Sequence, residues 1–258
     1  MTPTVDTFRA LARSAPWRAR SLHFTYATGT GERPSEPSYD ECWLERPDTL
    51  VVLDADGRRH RLVETADDSE AASSTVLVAA AGEPLPTADE IAELVRPPEM
   101  TFRADGLADP RPDRLRYEFD VPMWDNYYFV AALDPVELSH SVRVEGLRED
   151  EVAGRQVWRA ELTPVEGYDP RCGGNCCELL WSEVSWHSDC DGVAVAAGES
   201  CCRPIPQSSV FPLHYDVALD VQTGIVVRSY PGGGKDAPWL EIDILAVDEE
   251  PAGTEAAR

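Results

Sequence analysis

The chain has 258 residues, 43% of them hydrophobic, which is enough apolar side chain for one sizeable core. Its formal charge is −24, so the surface repels phosphate backbones and anionic lipid headgroups, which argues against nucleic-acid partners and membrane-surface binding. No eighteen consecutive apolar residues occur, so membrane insertion by a helix is not expected.

Residues 4–14 predict a short helix, with Thr4 as cap and Val5, Phe8, Leu11 and Ala12 as its apolar face. Pro16 closes it. The start of the chain lacks the apolar core of a signal peptide, so a cytoplasmic location is expected. From Arg20 the period changes to two, with Leu22, Phe24 and Tyr26 alternating with His23 and Thr25. A Gly/Pro/Ser loop over residues 28–38 leads to strands at 39–44 and 49–53. Asp54-Ala-Asp56-Gly57 reads as a turn rather than a calcium loop, and 59–64 returns as the partner strand. A further strand is expected at 75–80. The capping-box pattern Thr87-Ala-Asp-Glu90 opens a helix through Val95.

Residues 103–116 are charged and irregular. Residues 126–138 predict a second helix with Asp125 as cap, in which Pro135 opens a new turn. Strands follow at 141–147 and 155–162, joined by a polar turn over 148–154. Another strand is expected at 179–186. The clearest hairpin pairs 213–220 with 225–230, and its glycine, Gly224, sits where a short β loop needs one. The last strand is 239–247. One domain spans 1–248, and 249–258 is a polar, disordered tail.

Six of the seven cysteines fall in an insertion over 168–206: Cys172, Cys176, Cys177, Cys190, Cys201 and Cys202. Gly-Gly-Asn between Cys172 and Cys176 can turn thiolates inward, so four of these six can hold a structural zinc ion, with His187 as a substitute ligand. Three disulfides are the competing arrangement, with 15 possible pairings. Cys42 reads as a buried core thiol. Trp124, Tyr127, Tyr128 and Phe129 form the densest aromatic run, and serve either as a ligand-cavity wall or as a helix face packed on the sheet. Gly-x-Ser-x-Gly, His-Glu-x-x-His and Gly-x-Gly-x-x-Gly are absent, and Gly232-Gly-Gly-Lys235 lacks the spacing of a P-loop. An enzymatic role is therefore not favoured.

The segment Tyr215-Asp-Val-Ala-Leu-Asp220-Val-Gln-Thr-Gly224-Ile-Val-Val-Arg-Ser-Tyr230 resembles the strand, Asp-x-x-Thr-Gly, strand hairpin of LolA/LolB-like and LppX-like bacterial lipoprotein carriers. Tyr168-Asp-Pro-Arg-Cys172 is similar to uncharacterised actinobacterial proteins of this general shape. The resemblance implies an α+β fold: a curved, mostly antiparallel half-barrel packed on an N-terminal helix and one or two middle helices. It also implies a greasy ligand between sheet and helices, though not lipoprotein transport itself. The resulting expectation is a non-enzymatic binding protein for a hydrophobic small molecule or a peptide. The alternative is an interaction module whose cysteine loop docks a basic protein partner.

Overall fold

The computed structural model describes residues 2–63, 100–112, 119–170, 178–187 and 210–249. They form an α+β structure built on one curved, nine-stranded antiparallel sheet. The expected strand at 75–80, the helix at 87–95, the tail and the six clustered cysteines lie outside the described residues.

Helix α1 (Val5–Ser14) starts where Thr4 and Thr7 exchange side-chain and backbone hydrogen bonds, which satisfies end groups that a helix cannot pair internally. Phe8, Leu11 and Ala12 are buried, whereas Val5 at the first turn stays exposed. The chain then makes a single 3₁₀ turn, Ala15–Trp17, instead of stopping at Pro16.

Strand β1 (Ser21–Thr30) buries Leu22, Phe24 and Tyr26 on one face, and it runs into the segment expected to be loop because Thr28, Gly29 and Thr30 pair with the last strand. It is followed by β2 (Asp40–Glu45), β3 (Thr49–Leu53) and β4 (Arg59–Val63), a meander whose last hairpin turns at Gly57 with φ of 79°. Helix α2 (Tyr127–Leu133) is capped by Asn126, not Asp125: the Asn126 side chain accepts from the Tyr128 amide at 2.9 Å. It is shorter than 126–138, because Asp134 ends it and Pro135 introduces a separate 3₁₀ turn, Val136–Ser139.

Strands β5 (Val142–Val152) and β6 (Arg155–Pro164) absorb most of the supposed polar turn, leaving Ala153-Gly154 as the reversal. Charge does not prevent a strand when one face is wet, and β5 is an edge whose pairing slips between Glu145 and Arg148. Residues 179–186, expected as a strand, instead hold turns and the five-residue helix α3 (Glu183–His187). Its start is fixed by Ser182 and Ser185, whose side chains and amides bond reciprocally. Strands β7 (His214–Asp220), β8 (Val226–Gly232) and β9 (Pro238–Val247) finish the sheet.

The strand order is β4-β3-β2-β1-β9-β8-β7-β6-β5. Phe24 and Tyr26 pair with Ile244 and Ile242 on the inner face, while Leu22 lies opposite Val247 and Leu240 opposite Thr28. There α2 contributes Phe129, whose ring lies 5.1 Å edge-on from Tyr26 and 6.1 Å from Phe24. A fully buried Phe of this kind contributes on the order of 2 kcal/mol by area alone. Helix α1 packs against the 3₁₀ turn at Val136–Ser139 and against the β7–β8 hairpin.

That hairpin shows why its sequence is Asp-x-x-Thr-Gly. The Asp220 carboxylate accepts from the Thr223 amide and hydroxyl, both at 2.8 Å, and from the Arg155 Nε at 2.7 Å. Gly224 has φ of 75°, and a Cβ there would lie 2.7 Å from the Leu11 carbonyl oxygen at the end of α1. Glycine supplies the left-handed turn and the space into which the helix settles.

Candidate functional site

The outer face of the sheet is a lattice of mutually satisfied charges. Glu241 on β9, only 2% exposed, accepts hydrogen bonds from Arg33, Tyr39 and Tyr230. Burial opposes its ionisation, but the bonds from Arg33, Tyr230 and Tyr39 win, and its carboxyl is lowered to about 2. Alongside, Arg228 donates to Asp243 at 2.5 Å, and Arg159 donates to Asp216 and, at 3.2 Å, to Asp150. His23 lies 2.7 Å from Glu41 and stacks on Trp43 with ring centroids 4.8 Å apart. Each of these named charged groups has a partner inside the protein.

The inner face is filled. Of the aromatic run, Tyr128 and Phe129 are buried against the sheet, Trp124 is half-buried and Tyr127 is exposed. Trp124 donates its indole N–H to Asp40 at 2.8 Å, and its ring lies 4.8 Å from His60. The four residues therefore point to different surroundings. Among the described residues no group of three or more His, Cys, Asp or Glu side chains is arranged to hold a metal. The six candidate ligands, Cys172, Cys176, Cys177, Cys190, Cys201 and Cys202, lie outside those residues. Cys42 is fully buried, and burial pushes its thiol well upward, as an inert core cysteine requires.

An open cleft lies at one end of the sheet, where the chain leaves α1 and where β2 turns into β3. Its volume is about 380 Å³. Pro16, Trp17, Phe119 and Val121 make its apolar wall, and Arg20, Arg46 and Asp120 supply the polar groups. The wall is braced from behind. The Arg111 guanidinium lies 5.0 Å from the Trp17 ring centroid and 5.3 Å from that of Phe119. The two rings meet edge to face at 4.6 Å.

Arg111 in turn donates to both Asp134 carboxylate oxygens, at 2.8 and 2.5 Å, and to the Arg13 carbonyl at 2.6 and 3.1 Å. The end of α1, the end of α2 and the crossing segment are thus held by one buried ion pair, whose side chains are 1% and 0% exposed. Burial pushes the Asp134 carboxyl up, and Arg111 and then Arg46 pull it back. Such a pair is costly to desolvate, but breaking it leaves an uncompensated charge, so it fixes geometry more than it adds stability.

Arg46 is placed by its amide, which donates to the Arg20 carbonyl at 2.8 Å, and by its Nη2, which donates to the Leu133 carbonyl at 2.8 Å. Its Nε is buried with no acceptor among the described residues. Burial lowers its pKa to about 10, against the pull of Asp134. Neither Trp17, Phe119, Arg20 nor Arg46 carries a sequence signal. Trp17 and Phe119 are about a hundred residues apart, and only a tryptophan set directly after a helix-closing proline hints at an exposed aromatic.

No protein-family model and no curated protein matches the chain. Solved structures similar to it include the complex of Pseudomonas aeruginosa MucA and MucB, at 15% identity over 96% of this chain and 61% of that one, with a TM-score of 0.35. Another is a crystal structure of MucB, at 17% identity over 97% of this chain and 62% of that one, with a TM-score of 0.33. The chain spans about three fifths of the length of these structures.

Proposed function

We propose that this chain is a non-enzymatic binding protein and that its ligand, a hydrophobic small molecule, sits in the cleft between Trp17, Phe119 and Arg46. The observation that carries this is the braced aromatic wall: Trp17 and Phe119 are held apart from the core by Arg111, line a space of about 380 Å³, and remain half-exposed. A cavity of this size and composition suits a small ligand, and a preformed wall loses little entropy on binding. Among the described residues the cleft lining holds no Ser, Thr, Cys, His or Lys, the side chains that most often act as nucleophile or base. In the same reading, Cys172, Cys176, Cys177, Cys190, Cys201 and Cys202 order their own segment through zinc or disulfides, which elemental analysis and thiol counting separate.

Native mass spectrometry of the purified protein, followed by solvent extraction, tests the reading. The expected result is a co-purifying apolar molecule, or uptake of added 2-naphthylmethanol, that weakens when Phe119→Ala removes one wall. A bare mass together with no uptake of the probe would sink it.

A further inference from the structure

We propose that the ligand is a carboxylate, with its charged end on the guanidinium of Arg46 and its apolar body laid against the wall that Trp17 and Phe119 form together. This rests on the cleft being the binding site. The argument is one of local charge in a chain of opposite sign. The protein as a whole has 47 acidic residues against 23 Lys and Arg. Among the described residues at the cleft the balance reverses: its lining holds Arg20 and Arg46 against Asp120, and the Arg111–Asp134 pair behind it is neutral as a whole. Asp134 is already claimed by both arms of Arg111, so it serves Arg46 only through space. Asp120 is engaged by another group.

Among the described residues half-buried Arg46 makes one side-chain hydrogen bond, to the neutral carbonyl of Leu133, and its Nε has no acceptor. Elsewhere in the described residues Arg33, Arg155, Arg159 and Arg228 each have a carboxylate, whereas Arg9, Arg13 and Arg18, like Arg46, donate to backbone carbonyls; what sets Arg46 apart is that it lines the open cleft. An arginine kept without one, at the floor of an open cleft, is an anion site in waiting. A half-buried guanidinium without a carboxylate partner gains a charge-assisted hydrogen bond when an anion enters the cleft and meets its accessible part. Arg20, exposed at the mouth, adds attraction at longer range. The apolar lining selects a carboxylate that carries a hydrophobic body over a small inorganic ion.

The test is isothermal titration of the full chain with three probes of one shape: 2-naphthoate, the neutral 2-naphthylmethanol and the cationic 2-naphthylmethylammonium. The expected result is naphthoate binding at least tenfold tighter than the alcohol, with the ammonium weakest. Arg46→Met should erase that preference while leaving the alcohol's affinity within about threefold. Arg46→Lys should keep part of the preference. If Arg46→Met fails to fold, the exposed Arg20→Met is the second variant, and it should lower the naphthoate preference two- to fivefold. If the alcohol binds as tightly as naphthoate, the carboxylate assignment falls and the cleft stands. If no probe binds, both fall. A naphthoate preference unchanged in every variant that folds would remove Arg46 from the site and overturn the proposal.

Discussion

Glu241→Gln should make the stability of this protein markedly less sensitive to acid. The Glu241 carboxyl is lowered from an ordinary value of 4.5 to about 2 by hydrogen bonds from Arg33, Tyr230 and Tyr39 that outweigh its burial. A depressed carboxyl is ionised more readily in the folded chain than in the unfolded one. The stability it contributes is therefore complete above 4.5 and is lost as pH falls through that value toward 2. At about 1.4 kcal/mol per pKa unit the whole contribution is about 3 kcal/mol, and about 2 kcal/mol of it is gone by pH ~3.

Glutamine cannot be charged and turns an N–H₂ group toward three donors, so the variant lacks this pH-dependent part. Urea titrations of both proteins, followed by tryptophan fluorescence at pH ~7, ~5, ~4 and ~3, isolate the residue, because all other carboxylates cancel in the difference. The wild type should exceed the variant by about 3 kcal/mol at neutral pH and by about 1 kcal/mol at pH ~3. A difference that stays constant to within ~0.5 kcal/mol across the series would show that the ionised Glu241 network is not a source of stability.

Two further substitutions test the packing. Gly224→Ala places a methyl group 2.7 Å from the Leu11 carbonyl oxygen at φ of 75°, and should cost more than ~2 kcal/mol in thermal unfolding. Gly57→Ala has a similar φ of 79° but nothing within 4 Å, and should cost only ~1 kcal/mol; equal losses would contradict the clash. Asp134→Ala strands the Arg111 guanidinium and should destabilise by about 3–5 kcal/mol, with a loss of near-ultraviolet dichroism as Trp17 comes free. A stable variant with unchanged dichroism would mean that the ion pair does not brace the wall.

Much of the sheet is legible in the sequence because alternation is a local property. Leu22, Phe24 and Tyr26, the Asp220–Gly224 turn and the 49–53 strand follow from period and turn chemistry alone. The misread elements are those settled by distant partners. Residues 28–30 look like loop, yet β9 pairs with them. Residues 148–152 look like a polar turn, yet they pair with β6 as a wet edge. Residues 179–186 are apolar enough for a strand, yet 179–182 turn and the Ser182–Ser185 pair, with Ser185 donating to the Glu178 carboxylate, starts a short helix at Glu183. The cleft is the least legible part. Its two rings, the arginine that braces them and the arginine on its floor come from four separate segments, with no repeated spacing to announce them. The aromatic run at Trp124–Phe129, which does announce itself, is mostly structural: Phe129 seals the core and Trp124 ties down Asp40.

Strand β1 pairs with β9 across about 200 residues of intervening chain, while the other pairings join neighbours in the meander from β1 to β4 or run back from β9 to β5. The sheet is two weaves stitched along the β1–β9 seam. Most pairings inside a weave close short loops, although β6 meets β7 across residues 165–213; the stitch closes the longest loop, a step whose entropy rises slowly with length but whose rate falls with contact order. Covalent continuity between the halves is not what holds the seam. Separately expressed halves, cut between β4 and β5, should find each other through β1 and β9 and restore the sheet, which would make this protein a natural candidate for a split reporter.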